Sequence, residues 1–456
     1  MPLESFAIDI VARARKLGAD FADSVVIEST DFSSVYRMGK VEKLVESTSR
    51  AMGLRVIRGG RTAITYTSDF APERIGAFVA GGIELLAYAS VDEVSSVPEA
   101  EMLGSAAADL GLYDPEIEAM TAEEKIAVAR KTEEAVFAAD KRVNNTEGNE
   151  FASSLITFAL ANSEGFAGGY RKSVASISAS AVLDDTQPSK GENVRGKKQS
   201  DGWYTVGTSL KALETPEAVG RRAAERTTRL IGSTKVATKE VPVVFEQPVA
   251  SQFMGSVFQA ISGAGVWRKQ SFLAEALGQQ IGSELFKVCD DPLMPGHIGS
   301  RPFDGEGVRA RRNLVFDGGK LASFLLDTYS SRKLKLKTTG SASRSVAGRP
   351  SPGATNFFLM PGTVTPEEIV ASVKNGLMVV SLMGFGVNIV NGVLSQGIQG
   401  IWIENGKLTR PVSEMTIAGN LRDMLASIDT VGNDLVFRGS MAAPTFRIAK
   451  MAVSGT

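Results

Sequence analysis

The chain holds one histidine (His297) and one cysteine (Cys289) in 456 residues. Zinc centres take three side-chain ligands for catalysis and four in structural sites, mostly Cys and His. With two such residues at most, a self-contained zinc hydrolase is disfavoured. A single cysteine excludes an intrachain disulfide, which suits a reducing cytoplasm. Neither sign of charge dominates: 50 Lys and Arg face 51 Asp and Glu, a net charge of -1. There is therefore no global basic field to gather nucleic acid or anionic membrane. No long hydrophobic run is present. The most apolar stretch, Gly376 to Leu394, is interrupted by Ser381, Asn388, Asn391 and several glycines, and reads as packed strands rather than a membrane span. Residues Met1 to Val11 carry Glu4 and Asp9 and lack the basic and apolar regions of a targeting signal. The expected location is the cytoplasm.

What is present is an ordinary globular composition, 43% hydrophobic with 46 glycines, long enough for two or three domains. Leu3, Phe6, Ala7, Ile10, Ala14 and Leu17 recur at helical spacing before Gly18. A strand follows at Val25–Glu28. Val35–Ser47 and Met52–Ser68 read as an antiparallel meander turning at Gly59-Gly60. Pro72 opens a second helix running to about Tyr88. Residues 91–120 are rich in Ser, Ala, Glu and Asp and read as a linker. Thr121-Ala-Glu-Glu124 is a capping box that starts a helix to about Ala139. Strands are expected at 142–145, 154–161 and 174–182, a polar mobile loop over 186–203, and a helix from Thr215-Pro216. This second block loosely repeats the layout of the first. Beyond Val241 glycine rises and apolar runs shorten. Asp317-Gly318-Gly319 and Glu404-Asn405-Gly406 mark hairpins, and helices are expected after Pro248, at the capping box Thr365-Pro-Glu-Glu368, and near Asn420. The reading is an α+β protein. An N-terminal α/β lobe of antiparallel sheet plus helices, in two similar halves, spans a domain at 1–90, a linker at 91–120 and a central domain at 121–238. A β-rich domain with a few helices covers 239–456.

Several constellations carry residue types used in chemistry. Cys289 and His297 are eight positions apart with Asp290 and Asp291 between, but Pro292 and Pro295 break the segment. A buried thiol and a loop histidine account for them. Ser330-x-x-Lys333 matches a serine–lysine acylation pattern by letters, yet Leu334, Leu336 and the alternating lysines predict a strand there. Gly263-Ala264-Gly265 and Gly384-Phe385-Gly386 lack the third glycine of a dinucleotide fingerprint. Asp290-Asp291 and Asp304-x-Glu306 have the residue types for acid–base work or a hard cation, though adjacent acids in turns commonly do neither. Segment 332–356 carries Arg332, Lys333, Lys335, Lys337, Arg344 and Arg349 among Gly, Ser, Thr and Pro. It reads as a long basic loop, with phosphate or nucleic-acid binding, a peptide- or substrate-binding rim and a solvated loop as the competing accounts.

Further motifs carry a resemblance. They are Ser283-Glu284-Leu285 leading to Asp290-Asp291, Ser300-Arg-Pro-Phe-Asp-Gly-Glu-Gly307, Asn356-Phe-Phe-Leu-Met-Pro-Gly362, Ile403-Glu-Asn-Gly-Lys407, Ile417-Ala-Gly-Asn420 and Val431-Gly-Asn-Asp-Leu435. Across nearly the whole chain the sequence resembles the TldD/PmbA family, on its PmbA (TldE) branch. In that family TldD resembles a metallopeptidase whose helix carries His-Glu-x-x-x-His, with a downstream cysteine completing the site. The resemblance places that helix at Ser251-Gln252-Phe253-Met254-Gly255-Ser256. Both histidines become serine and the glutamate glutamine, and Asp434 to Phe446 contains no cysteine. Serine binds zinc poorly and a neutral amide accepts no proton as a general base.

The resemblance implies a non-catalytic subunit of a TldD/PmbA-type peptidase acting on unfolded or extended peptides, with no catalytic or metal-binding residue of its own. Zinc is expected in a TldD-like partner. The older label, modulator of DNA gyrase, describes a genetic effect; neither nucleic acid nor membrane is an expected partner. Arg332, Lys333, Arg344, Arg349 and Asn356 are the expected substrate-binding residues. Two other readings stand beside it: a homodimeric peptide- or protein-binding module, and an autonomous hydrolase built from Asp, Glu, Ser and Lys.

Overall fold

The computed structural model describes residues 2–105, 109–185, 198–384 and 386–455. Its first unit runs α1 (Leu3–Lys16), β1 (Phe21–Arg37), β2 (Lys40–Arg58), β3 (Arg61–Thr67) and α2 (Pro72–Glu84). After the short α3 (Pro115–Ala119) comes a second unit. It comprises α4 (Ala122–Ala139), β4 (Val143–Asn145), β5 (Asn149–Asn162), β6 (Ala167–Asp184), β7 (Lys198–Gly207) and α5 (Pro216–Thr228). The repeated layout is expressed as one sheet. β1 and β5 pair antiparallel from Asp23 opposite Asn162 to Tyr36 opposite Asn149, giving seven strands in the order β3-β2-β1-β5-β6-β4, with β7 on β6.

Alternation along the central strands assigns the two faces. Ala22, Val26, Phe32, Phe151, Ala159 and Ala161 point to the side covered by α1, α2, α4 and α5. Val25, Phe158 and Leu160 point the other way, against Phe166 and Phe303. The N-terminal lobe thus has a helical layer on one face and uses part of the other to hold the C-terminal domain.

Two expectations change here. Met38 and Gly39, both at positive φ, turn β1 into β2 where an unbroken strand was read. Buried Glu133 of α4 accepts both turn amides, at 2.7 and 2.9 Å, so a tertiary contact holds a turn that has no Asn or Asp. The polar loop expected over 186–203 is strand β7 from Lys198 onward; its remainder lies outside the described residues. Residues 91–105 and 109–120 pack closely, with Val97, Leu110, Leu112 and Ile117 buried.

The C-terminal domain comprises β8 (Lys239–Phe245), α6 (Gln247–Ile261), α7 (Gly263–Trp267), β9 (Val288–Asp290), β10 (Asn313–Asp317), β11 (Lys320–Leu321) and α8 (Thr328–Leu334). It continues through β12 (Ala342–Ser343), β13 (Ser351–Pro352), β14 (Phe357–Leu359), α9 (Pro366–Ala371), β15 (Asn375–Met383), β16 (Val393–Glu404) and β17 (Lys407–Asn420). It ends with α10 (Leu421–Ala426), β18 (Ile428–Val431), β19 (Met441–Ala442) and β20 (Phe446–Ser454). β17 pairs with both β16 and β20, so β17, β16, β15, β8 and β20 close into a barrel, which removes their free edges. A second sheet, β11-β10-β9-β14-β19, stands beside it. Phe245, Phe253 and Phe446 stack in the core between barrel and α6, with the Phe245 and Phe446 rings 4.9 Å apart. No helix among the described residues is long and apolar enough to cross a membrane.

Candidate functional site

Helix α6 leaves the barrel directly after β8, with Pro248 in its first turn. Phe253, Met254 and Val257 face the core, which turns Gln252 outward and leaves Ser251 and Ser256 half-buried. The Ser251 hydroxyl donates to the Gln247 carbonyl at 3.0 Å. It also accepts from the Gln247 side-chain amide and from the Ala443 backbone N–H, each at 3.1 Å. Its one proton and both lone pairs are therefore used. Gln252, Ser256 and Gln259 line a cavity of about 280 Å³ with Phe245, Leu394 and Gln396. The contact to Ala443 brings segment 434–446 onto α6, so the two regions that would have to share a metal are adjacent. The donor set does not suit one. It offers two serines and an amide, Ser251 is saturated, and no group of three His, Cys, Asp or Glu suited to a metal occurs among the described residues.

The other two metal-type residues lie elsewhere. Cys289 is buried in β9 and accepts from Arg312 Nε at 3.0 Å; burial pushes its thiol pKa up against that guanidinium. The His297 ring packs edge-on against Phe437, with centroids 4.8 Å apart.

The basic segment is not the open loop expected. Residues 328–334 form α8, with Asp327 as N-cap accepting from the Ser330 N–H at 2.8 Å, so the strand predicted around Leu334 is a helix. Ser330 is buried and bonded to Asp327, whereas Lys333 pairs with Asp92 at 2.9 Å. The serine and lysine thus have separate partners. Arg332 pairs with Glu99 at 2.5 Å. The Arg344 side chain is fully buried and pairs with Asp23 at 2.7 Å. Asn356, also fully buried, donates to the Asp291 carbonyl at 2.7 Å and Ser300 Oγ at 2.8 Å, and accepts from the Gly299 N–H at 3.0 Å. Of the five residues singled out in the sequence, Arg349 alone has an exposed guanidinium with no described partner. It borders an open depression beside Tyr88, Val91 and Lys333.

The motif Ser300–Gly307 clasps the two lobes. Phe303 enters an aromatic cluster on the N-terminal sheet, 4.7 Å from Phe166 and 5.6 Å from Tyr170. Asp304 accepts from three backbone amides, those of Glu306, Val308 and Ala342. Glu306 accepts from the Thr328 N–H at 2.8 Å and stands 3.4 Å from Arg55 of β2, which itself pairs with Asp23. Burial pushes the Glu306 pKa up to about 7 despite Arg55. Burial likewise raises Asp290 to about 6, against the Thr355 N–H that it accepts. Both acids are enclosed by protein, and their shifts report desolvation rather than a substrate.

Comparison with known proteins places this architecture. Three family models match in succession: the PmbA/TldA metallopeptidase domain 1 over residues 22–96, the central domain over 115–231 and the C-terminal domain over 238–455. Metalloprotease PmbA of Escherichia coli O157:H7 is 34% identical, across 96% of this chain and 93% of its own. The metalloprotease TldD homolog of Haemophilus influenzae is 25% identical across 91% and 86%. Among solved structures, a Bacteroides thetaiotaomicron protein named for modulation of DNA gyrase superposes with a TM-score of 0.90 at 25% identity, covering 99% of both chains. TldE from Thermococcus kodakarensis shares the fold, with a TM-score of 0.87 at 21% identity over 98% and 99%. From the first strand of its N-terminal sheet to the last strand of its barrel, the chain belongs to the PmbA/TldD metallopeptidase family.

Proposed function

We propose that this protein is the non-catalytic subunit of a cytoplasmic TldD/PmbA-type peptidase complex acting on unfolded or extended peptides. The metal and the general base would come from a TldD-like partner, and this chain would form one wall of the peptide chamber. The observation that carries the reading is Ser251. At the position where the family resemblance expects a ligand, its hydroxyl is saturated by Gln247 and Ala443, while neutral Gln252 stands where a proton acceptor is required. An accessible strand edge suits the substrate class. β3 pairs with β2 only from Met52 to Arg58, leaving Lys40–Ser49 exposed on that side, and an extended peptide pairs with such an edge through its backbone.

The test is to purify the chain alone and with a TldD-type partner bearing His-Glu-x-x-x-His, then measure bound zinc and peptide cleavage. Metal and turnover are expected only in the pair. Stoichiometric zinc together with cleavage by the isolated chain would overturn the proposal.

A further inference from the structure

A cavity of about 660 Å³ opens between the central and C-terminal domains, beside the first turn of α6. Its walls are largely apolar, formed by Pro248, Val370, Met378, Leu408 and Val436 around the Trp203 indole. Two kinds of arginine border it. Arg226 and Arg229 are occupied: Arg229 grips Glu246 with two bonds at 2.8 and 2.9 Å, and Arg226 adds a third at 2.9 Å. Arg222 and Arg438 share a looser partner. They lie over the Trp203 ring, 4.7 and 4.2 Å from its centroid, and share one carboxylate, Glu214. That acid already accepts from Trp203 Nε1 at 3.1 Å and stands 3.3 Å from Arg222 and 3.7 Å from Arg438. Of the other acids at the cavity, Asp434 is bonded twice to Thr445, and Glu225 and Glu367 are exposed.

Two guanidiniums sharing one carboxylate, beside an apolar cavity, suit a ligand that joins an anion to an aliphatic group. Guanidinium forks match carboxylate geometry, and a space of this size encloses one or two residues in the manner of small-ligand sites. We infer that this cavity binds the C-terminal residue of an extended peptide, its carboxylate between Arg222 and Arg438 and its aliphatic side chain against Leu408, Val436 and Met378. The site also communicates with α6. Arg438 donates to the Gln247 side-chain oxygen, and Gln247 donates to Ser251 Oγ, so an anion drawing on Arg438 pulls on the first turn of that helix.

This inference rests on the proposed peptide-handling role for the nature of the ligand, but its test reads binding and involves no partner, metal or cleavage. The full-length chain is titrated calorimetrically with acetyl-Ala-Ala-Leu as the free acid and as its C-terminal amide. The acid is expected to bind at least tenfold more tightly than the amide. Arg222→Gln and Arg438→Gln should each remove most of that preference and leave the amide unchanged, whereas Arg74→Gln, exposed on α2, should alter neither. Arg222 is half-exposed, so its variant reports even if Arg438→Gln disturbs folding. Equal affinity for acid and amide, or no binding of the acid at millimolar concentration, overturns the inference.

Discussion

At the scale of single residues, the acids in the family motifs behave as interior groups. Asp290 lies in β9 with one carboxylate oxygen accepting from Thr355 and the other without a protein partner. Burial raises its pKa to about 6, against about 3.9 for an unfolded aspartate. Between those values the folded state keeps a proton that the unfolded state has released, so stability falls as pH rises through the window. Asp290→Asn removes the titration and keeps an acceptor for Thr355. Its free energy of unfolding relative to the unmutated chain should improve by about 2 kcal/mol between pH 4 and pH 7. Urea denaturation at both pH values checks this, and a difference independent of pH would show that Asp290 does not hold a proton in the fold. The spacing of Asp290-Asp291 and Asp304-x-Glu306 is visible in the sequence, but burial is not. That is why the same letters read equally well as acid–base pairs. The partners of Arg332, Lys333 and Arg344 were equally hidden. Glu99, Asp92 and Asp23 lie more than 200 positions away, and nothing local to the basic segment announces them.

Elements were legible where a local hydrogen bond sets them. Both capping boxes form as read, Thr121 with Glu124 and Thr365 with Glu368, and the hairpins at Gly59-Gly60, Gly318-Gly319 and Asn405-Gly406 turn through the positive φ angles those residues tolerate. Strand lengths were not legible. β1, β2 and β6 run to 17, 19 and 18 residues, because the sheet is helix-covered on one face only and long polar stretches such as Ser29–Ser33 continue across the other. Helix α8 was missed because Leu334, Leu336 and their lysines alternate, whereas the Asp327 cap and the packing of Ser330 and Ser331 decide the conformation. The local origin of the caps gives a direct expectation. Thr121→Ala should lower the stability of the N-terminal lobe by about 1 kcal/mol, and Thr121→Ser should recover most of it. Denaturant midpoints of the three proteins measure this; an unchanged midpoint for Thr121→Ala would mean that the exposed capping box is replaced by water without cost.

For the whole molecule, the decisive contacts join segments that no window of sequence displays together. β1 pairs with β5 across more than a hundred positions and fuses two similar units into one sheet. Arg344 then crosses from the C-terminal domain to Asp23 on that sheet, while Arg55 reaches back toward Glu306. Each arginine meets the other lobe's acid in a water-excluded layer, and Val346 lies so close to Gly53 that a Cβ there would collide with its carbonyl oxygen. The lobes are consequently held by paired charges that are costly to separate. Removing one member of a buried pair leaves the other unneutralised, at about 3–5 kcal/mol. Arg344→Ala should therefore destabilise the full chain by that order, with earlier proteolytic cleavage between the lobes. Arg349→Ala, five positions away but exposed and without a described partner, should stay within about 0.5 kcal/mol of the parent. Urea unfolding of the two variants separates the roles that the sequence alone gave to both residues. If Arg344→Ala proved as stable as Arg349→Ala, the crossed pairs would not be what fastens the lobes, and the aromatic cluster around Phe303 with the Lys333–Asp92 and Arg332–Glu99 pairs would have to hold them.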